Sequence, residues 1–302
     1  MAELVCSFAL AHAPGMTGWF HQATESQRAN LTAGYAELGR LLHEAKPDVL
    51  IGFGNDHLLN LPFDNPADFC IGTAAQWTGP AAWFQDWLAL PPYEVKGRPD
   101  VAQALVHAMD RRGVSLAFRS DLLFDDNFSV PLATLTPRFD IPFVPIHMNC
   151  LVPPVPTPRH CFEVGEKLAQ SIRDDLPAGL RVALMGTGGL SHDPGGPRYF
   201  EIDEAFDRWF LSLLESGDTR KAFDECTLER MREAGAGGTP ELIAWFVAWG
   251  AAAGAKARVV CYEPTAGLRC SMGGVSWPTP EAPTALPPRG GATSGPAKPV
   301  PR

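Results

Sequence analysis

No C-x-x-C pair occurs among the seven cysteines (Cys6, Cys70, Cys150, Cys161, Cys226, Cys261 and Cys270), which are odd in number and scattered. That pattern argues against a zinc ribbon or a disulfide scaffold and leads us to expect a reducing, cytoplasmic setting. Positive charge is also scarce. Lysine plus arginine number 25 against 34 for aspartate plus glutamate, a net charge of -9, with no basic block. Neither nucleic acid nor an anionic membrane is an expected partner of such a chain. Long apolar runs are missing too: the longest nearly uncharged stretch, Leu242 to Ala255, has 14 residues. That suits a buried helix and is too short to span a bilayer. The first residues carry Glu3 and no positive charge, so no signal peptide is expected. A G-x-S-x-G elbow, an H-E-x-x-H helix and the Gly-Lys-Ser/Thr of a P-loop are all absent, which removes the commonest hydrolase, metalloprotease and nucleotide signatures.

What is present is ordinary globular composition, 45% hydrophobic and 20% charged over 302 residues, enough for one large domain with a sizeable core. An apolar run from Leu4 to Ala11 reads as a buried strand stopped at His12-Ala13-Pro14-Gly15. Thr24 and Gln27 have capping-box spacing, and Leu31, Tyr35, Leu38, Leu41 and Leu42 continue at helical spacing to about Ala45. Val49 to Phe53 forms a second core strand that ends in Asn55-Asp56-His57. Strand, helix and strand joined by short turns predict a parallel crossover and an α/β sheet. Residues 60–100, rich in proline, glycine and tryptophan, read as a long excursion without regular elements. Val101 to Arg112 reads as helix. Ile141 to Ile146 reads as a strand whose prolines place it at an edge. A helix opens at Thr157-Pro158, and Val182 to Met185 is a short buried strand running into Gly186-Thr187-Gly188-Gly189-Leu190-Ser191-His192. A further helix carries Ile202 to Leu213. Thr239-Pro240-Glu241 starts the apolar helix, and Ala257 to Tyr262 is the expected last strand. The fold class is thus α/β, a single domain over residues 1–275 with a central mixed or mostly parallel sheet flanked by helices. Residues 276–302, with eight prolines and three glycines, read as a flexible tail.

Three histidines, His12, His57 and His192, stand just after core strands, where open α/β sheets place their working groups. The other five (His21, His43, His107, His147 and His160) gain no role from position. Glu241 is the carboxylate that could join them. Its competing reading is a charge in the first turn of a helix capped by Thr239, where it satisfies the helix dipole without any metal. The glycines of Gly186 to Gly189 read as a tight turn that lets backbone approach a site and leaves His192 exposed to it. On these residues alone the function stays open.

Taken together, several segments resemble the class III extradiol ring-cleavage dioxygenases of the LigB-type superfamily, over about residues 5–275. They are Ala11-His12-Ala13-Pro14-Gly15; Lys46-Pro47-Asp48-Val49-Leu50 leading to Gly54-Asn55-Asp56-His57; Val130-Pro131-Leu132; Gly186 to His192; and Arg232-Glu233-Ala234-Gly235 with Glu241-Leu242-Ile243-Ala244-Trp245. The resemblance implies that His12, His57 and Glu241 ligate iron(II) and that His192 is the catalytic base. Such a triad leaves one face of the metal open, as in non-heme iron oxygenases. It also implies dioxygen and a catechol-like or aminophenol-like ring as substrates, and a homo-oligomer or a complex with a small separate α subunit. Asp56 is read as orienting His57, or equally as capping the following turn. Many relatives carry Asp-His-Gly where this chain has Asp125-Asp126-Asn127, so Asp126 takes the place of a substrate-contacting histidine and should disfavour a carboxylate facing it. Two other readings share these residues: a non-catalytic metal-binding or redox signalling relative, as the Memo-type proteins resemble, and a zinc-dependent hydrolase using the same triad.

Overall fold

A computed structural model describes residues 1–278. Its strands are β1 (Glu3–Leu10), β2 (Val49–Asn55), β3 (Phe69–Gly72), β4 (Gln76–Gly79), β5 (Tyr93–Lys96), β6 (Ala117–Arg119), β7 (Phe143–Met148), β8 (Arg181–Thr187), β9 (Arg258–Glu263) and β10 (Met272–Trp277). The helices are α1 (Gly15–Gly18), α2 (Glu25–Glu44), α3 (Gln85–Leu88), α4 (Pro99–Arg111), α5 (Asp126–Leu135), α6 (Pro158–Asp175), α7 (Glu204–Ser216), α8 (Thr219–Glu225), α9 (Leu228–Gly235) and α10 (Ile243–Ala251).

Eight strands make one mixed sheet in the order β6-β3-β7-β2-β8-β1-β10-β9. Its centre, β7-β2-β8-β1, is parallel. Strands β3 and β10 join antiparallel on either side. β2 is buried at every position, as expected of a parallel strand covered on both faces. The crossover from β1 through α2 to β2 forms as expected, with β8 inserted between the two strands. At the start of α2 the capping box is complete: Gln27 N donates to Thr24 Oγ1 and Thr24 N donates to Gln27 Oε1. On the other face α10 is buried along its whole length. Ser7 Oγ of β1 donates to Ala248 O of α10 at 2.9 Å, which ties that helix to the strand beneath it.

Several expectations need correction. Residues 60–100 contain β3 in the main sheet and a β4–β5 hairpin. β7 is not an edge strand, since it lies between β3 and β2. Its Pro145 is accommodated because the β3 ladder pairs Ile146 to Met148 and stops one residue short of the proline, so no pairing to β3 depends on the missing N–H. Ser276 and Trp277, read as the start of the tail, belong to β10. The rest of that segment, 279–302, lies outside the described residues. Among the described residues no helix is long and apolar enough to cross a membrane, and all seven cysteines are free thiols.

Candidate metal centre

The site forms where β1, β2 and β8 end. His12 follows β1, and Tyr35 of α2 donates to the Ala11 carbonyl beside it at 2.5 Å. His12 Nδ1 shares a hydrogen bond with Thr187 Oγ1, the last residue of β8, at 2.8 Å. His57 follows β2, and its Nδ1 donates to Asp125 Oδ2 at 3.0 Å. With each Nδ1 engaged, both Nε2 atoms turn towards one carboxylate: Glu241 Oε2 is 3.3 Å from His12 Nε2, and Oε1 is 3.1 Å from His57 Nε2. The third histidine, His192, donates from Nδ1 to Leu190 O at 2.7 Å. Its Nε2 stands 3.6 Å from Glu241 Oε1. That fixes the His192 tautomer, leaving Nε2 as the atom free to accept a proton.

Glu241 is 1% exposed, and its position corrects the helix-dipole reading. It sits in a 3-10 turn, Thr239–Leu242, ahead of α10. Thr239 does not cap that turn, because its Oγ1 accepts from His192 N at 3.2 Å. The carboxylate of Glu241 is held from elsewhere, accepting from Asn55 Nδ2 at 3.2 Å and from Gly189 N at 3.1 Å. The turn comes close to the end of β8: a Cβ on Gly188 would lie 2.5 Å from Glu241 O.

Asp56 does not touch His57. Its carboxylate accepts from Asn60 N and Leu61 N, at 2.9–3.1 Å, and Oδ1 lies 3.4 Å from His147 Nδ1. It caps the following turn, and Asp125 orients His57. Sequence reasoning missed Asp125 because position next to His57 in the chain suggested Asp56, whereas a side chain 68 residues away closes the contact. Asp207 was also missed. Buried on α7, it accepts from Ser191 N at 2.7 Å and Ser191 Oγ at 2.8 Å and so holds the loop that carries His192.

Burial pushes His12 down to about 4, so that imidazole is neutral. Burial disfavours charge on His57 as well, but Asp125 and Asp126 outweigh it and hold that pKa well above the usual histidine value. His192 behaves alike: burial opposes its charge, while Cys270 and Glu241 raise it well above normal. Burial alone would raise Glu241, yet His192 and His57 hold it well below the ordinary carboxylate range. For Asp126, burial dominates and lifts the pKa to about 7.

These contacts fit a bound cation. His57 donates from Nδ1 to Asp125, so a neutral His57 would point a lone pair at Glu241 Oε1 across 3.1 Å. Two acceptors at that distance require a proton or a metal ion between them. Two imidazoles and a carboxylate are a donor set suited to iron(II) or zinc. Donor atoms of His12, His57 and Asp126 also lie within 4.8 Å of one another. Asp126, however, approaches His57 at Nδ1, 3.5 Å away, on the nitrogen that Asp125 occupies. Glu241 faces both Nε2 atoms and is the better third donor. These groups line a cavity of about 230 Å³, walled by Trp19, Phe84, Trp87, Tyr199 and Leu268. That is at the small end for ligand cavities and suits a single flat ring.

The family model described as "Catalytic LigB subunit of aromatic ring-opening dioxygenase" matches residues 7–269. A 2,3-dihydroxyphenylpropionate/2,3-dihydroxicinnamic acid 1,2-dioxygenase of Photorhabdus laumondii is 28% identical over 202 residues, 66% of this chain and 59% of that protein. A gallate dioxygenase of Pseudomonas putida is 29% identical over 161 residues, 52% of this chain and 46% of that one. The chain thus spans about half the length of these curated relatives. An uncharacterized Escherichia coli K12 protein, JW3007, superposes with a TM-score of 0.59 at 16% identity, covering 90% of this chain and 99% of that chain, and so shares the fold.

Proposed function

We propose, since this chain belongs to the LigB family, that it is an iron(II)-dependent extradiol dioxygenase that opens a catechol-like or aminophenol-like ring with both atoms of dioxygen. The observation that supports this most is the convergence of His12 Nε2 and His57 Nε2 on the buried Glu241 carboxylate, inside a ring-sized cavity that also holds His192. Bound by those three residues, iron(II) would supply an open face for a chelating catechol and for dioxygen. The chain's own groups do the rest. Trp19, Phe84 and Trp87 flank the ring and exclude water. His192 Nε2 takes a proton from a ring hydroxyl and returns it to a departing oxygen as the ring opens. The Leu190 carbonyl keeps Nδ1 protonated throughout, so the proton moves at one defined atom. When the charge of Glu241 is shared with a cation, its pull on the His192 proton weakens and Nε2 becomes a base near neutral pH. Asp126 lines the cavity beside His57 and disfavours an anionic substituent on that side.

The test is metal analysis of protein purified without oxygen, followed by oxygen uptake with a panel of catechols and aminophenols. Iron and one dioxygen consumed per ring opened are expected. Zinc with no uptake would replace this reading with the hydrolase, and bound metal with neither activity would point to the signalling relative.

A further inference from the structure

Among the described residues Arg269 is the one permanently cationic side chain lining the cavity. It lies between β9 and β10, directly before Cys270, in a left-handed backbone conformation with φ 65°. That conformation is uncommon for a residue with a side chain and marks a position held by its surroundings. The guanidinium stacks 4.8 Å from the Trp19 ring and 5.1 Å from the Tyr199 ring, and Nη1 donates to Tyr199 Oη at 2.7 Å. Among the described residues no carboxylate lies within ion-pair distance of it, whereas most other arginines of the chain have one. Its Nε is buried and has no hydrogen-bond partner among the described residues. A guanidinium has five N–H donors arranged to meet a carboxylate side-on. A buried donor left without an acceptor is costly, and the residue that carries it lines the cavity.

We infer that Arg269 is a specificity-determining residue that binds an anionic substituent, a carboxylate on a side chain of the catechol or aminophenol ring. The inference rests on the ring-opening reading of the same cavity. Asp126 beside His57 offers no positive charge to an anion held close to the ring hydroxyls, and Arg269 attracts one at the aromatic wall. Together they orient the ring, with its two oxygens toward His12, His57 and Glu241 and its charged side chain toward Trp19 and Tyr199.

A matched pair of ligands tests this: a catechol with a short carboxylate side chain and the same molecule as its primary amide. Affinities are measured by calorimetry under nitrogen for the wild-type protein, Arg269→Gln and Arg269→Lys. The wild type should prefer the acid by about tenfold or more, and Arg269→Gln should collapse that acid-to-amide ratio by about tenfold. Arg269→Lys, which keeps the charge but not the fork, should retain part of the preference. Equal affinity of the wild type for acid and amide, or a ratio unchanged in Arg269→Gln, would overturn the assignment and leave Arg269 a packing residue in the aromatic stack. Ring opening is followed separately in air with the amide. Failure to open it would count against the dioxygenase reading, while the affinity ratio still decides the role of Arg269.

Discussion

His57 and His192 illustrate how the atom opposite the working nitrogen decides what an imidazole does. His57 Nδ1 donates a hydrogen bond to Asp125, which leaves Nε2 as the nitrogen that could ligate a metal and increases its electron donation. Asp125→Asn should therefore weaken metal affinity by about 10- to 100-fold, because the amide no longer draws on the Nδ1 proton as an anion. Competition with a chelator reads this directly, and an unchanged affinity would show that Asp125 only packs. His192 has the weaker backbone partner, Leu190 O, and stands farther from Glu241 at 3.6 Å. On the proposed reading His192 moves a proton and does not ligate. His192→Ala should keep metal content near the wild-type level while lowering turnover by roughly two to four orders of magnitude. Metal lost along with activity would make His192 a ligand.

The elements bring these side chains together at a short range that only a small residue permits. Gly188 at the end of β8 faces the turn that carries Glu241, and a Cβ there would lie 2.5 Å from Glu241 O and 3.0 Å from Glu241 Cβ. Gly188→Ala should push the turn outward, costing about 1–3 kcal/mol of stability as an overpacked contact and weakening metal binding by at least about tenfold. Chelator competition alongside thermal melting separates the two effects. A destabilised variant with normal affinity would mean that the strand moves and the turn does not. This close approach also explains which parts of the site could be read in advance. His12, His57 and His192 follow strands whose apolar runs are plain in the sequence, so their placement was legible. Glu241 was legible as a candidate only, because a charge before an apolar helix looks the same whether it serves a dipole or a metal. Asp125 and Asp207 were hidden, since contacts across 68 and 16 residues leave no local pattern. The missed elements have local causes too. Pro131 inside α5 masks a helix, β3 is four residues in a proline-rich stretch, and two glycines interrupt the apolar run of β10.

For the whole molecule, the proposed ligands come from positions 12, 57 and 241, so a metal ion held by them would join the end of β1, the end of β2 and the turn before α10 into one structure. The unfolded chain cannot hold three donors so far apart in one geometry, and binding therefore stabilises the folded state alone. At free metal about 100 times the dissociation constant the gain is about 2.7 kcal/mol, a rise of several degrees in Tm for a domain of this size. Glu241→Gln should abolish most of that rise, since it removes the anionic donor that faces both Nε2 atoms. The pH dependence has a definite sign. Without metal, His57 carries a proton on Nε2 at neutral pH because Asp125 and Asp126 hold its pKa well above normal, and an ion must displace that proton to bind. Affinity should then fall as pH falls, and the metal-induced rise in Tm should be larger at pH 8 than at pH 6. Melting curves with iron(II) under nitrogen at both pH values measure this. A rise equal at the two pH values would mean that no proton leaves on binding, and the convergence of His57 and Glu241 would then be an ion pair that the metal does not enter.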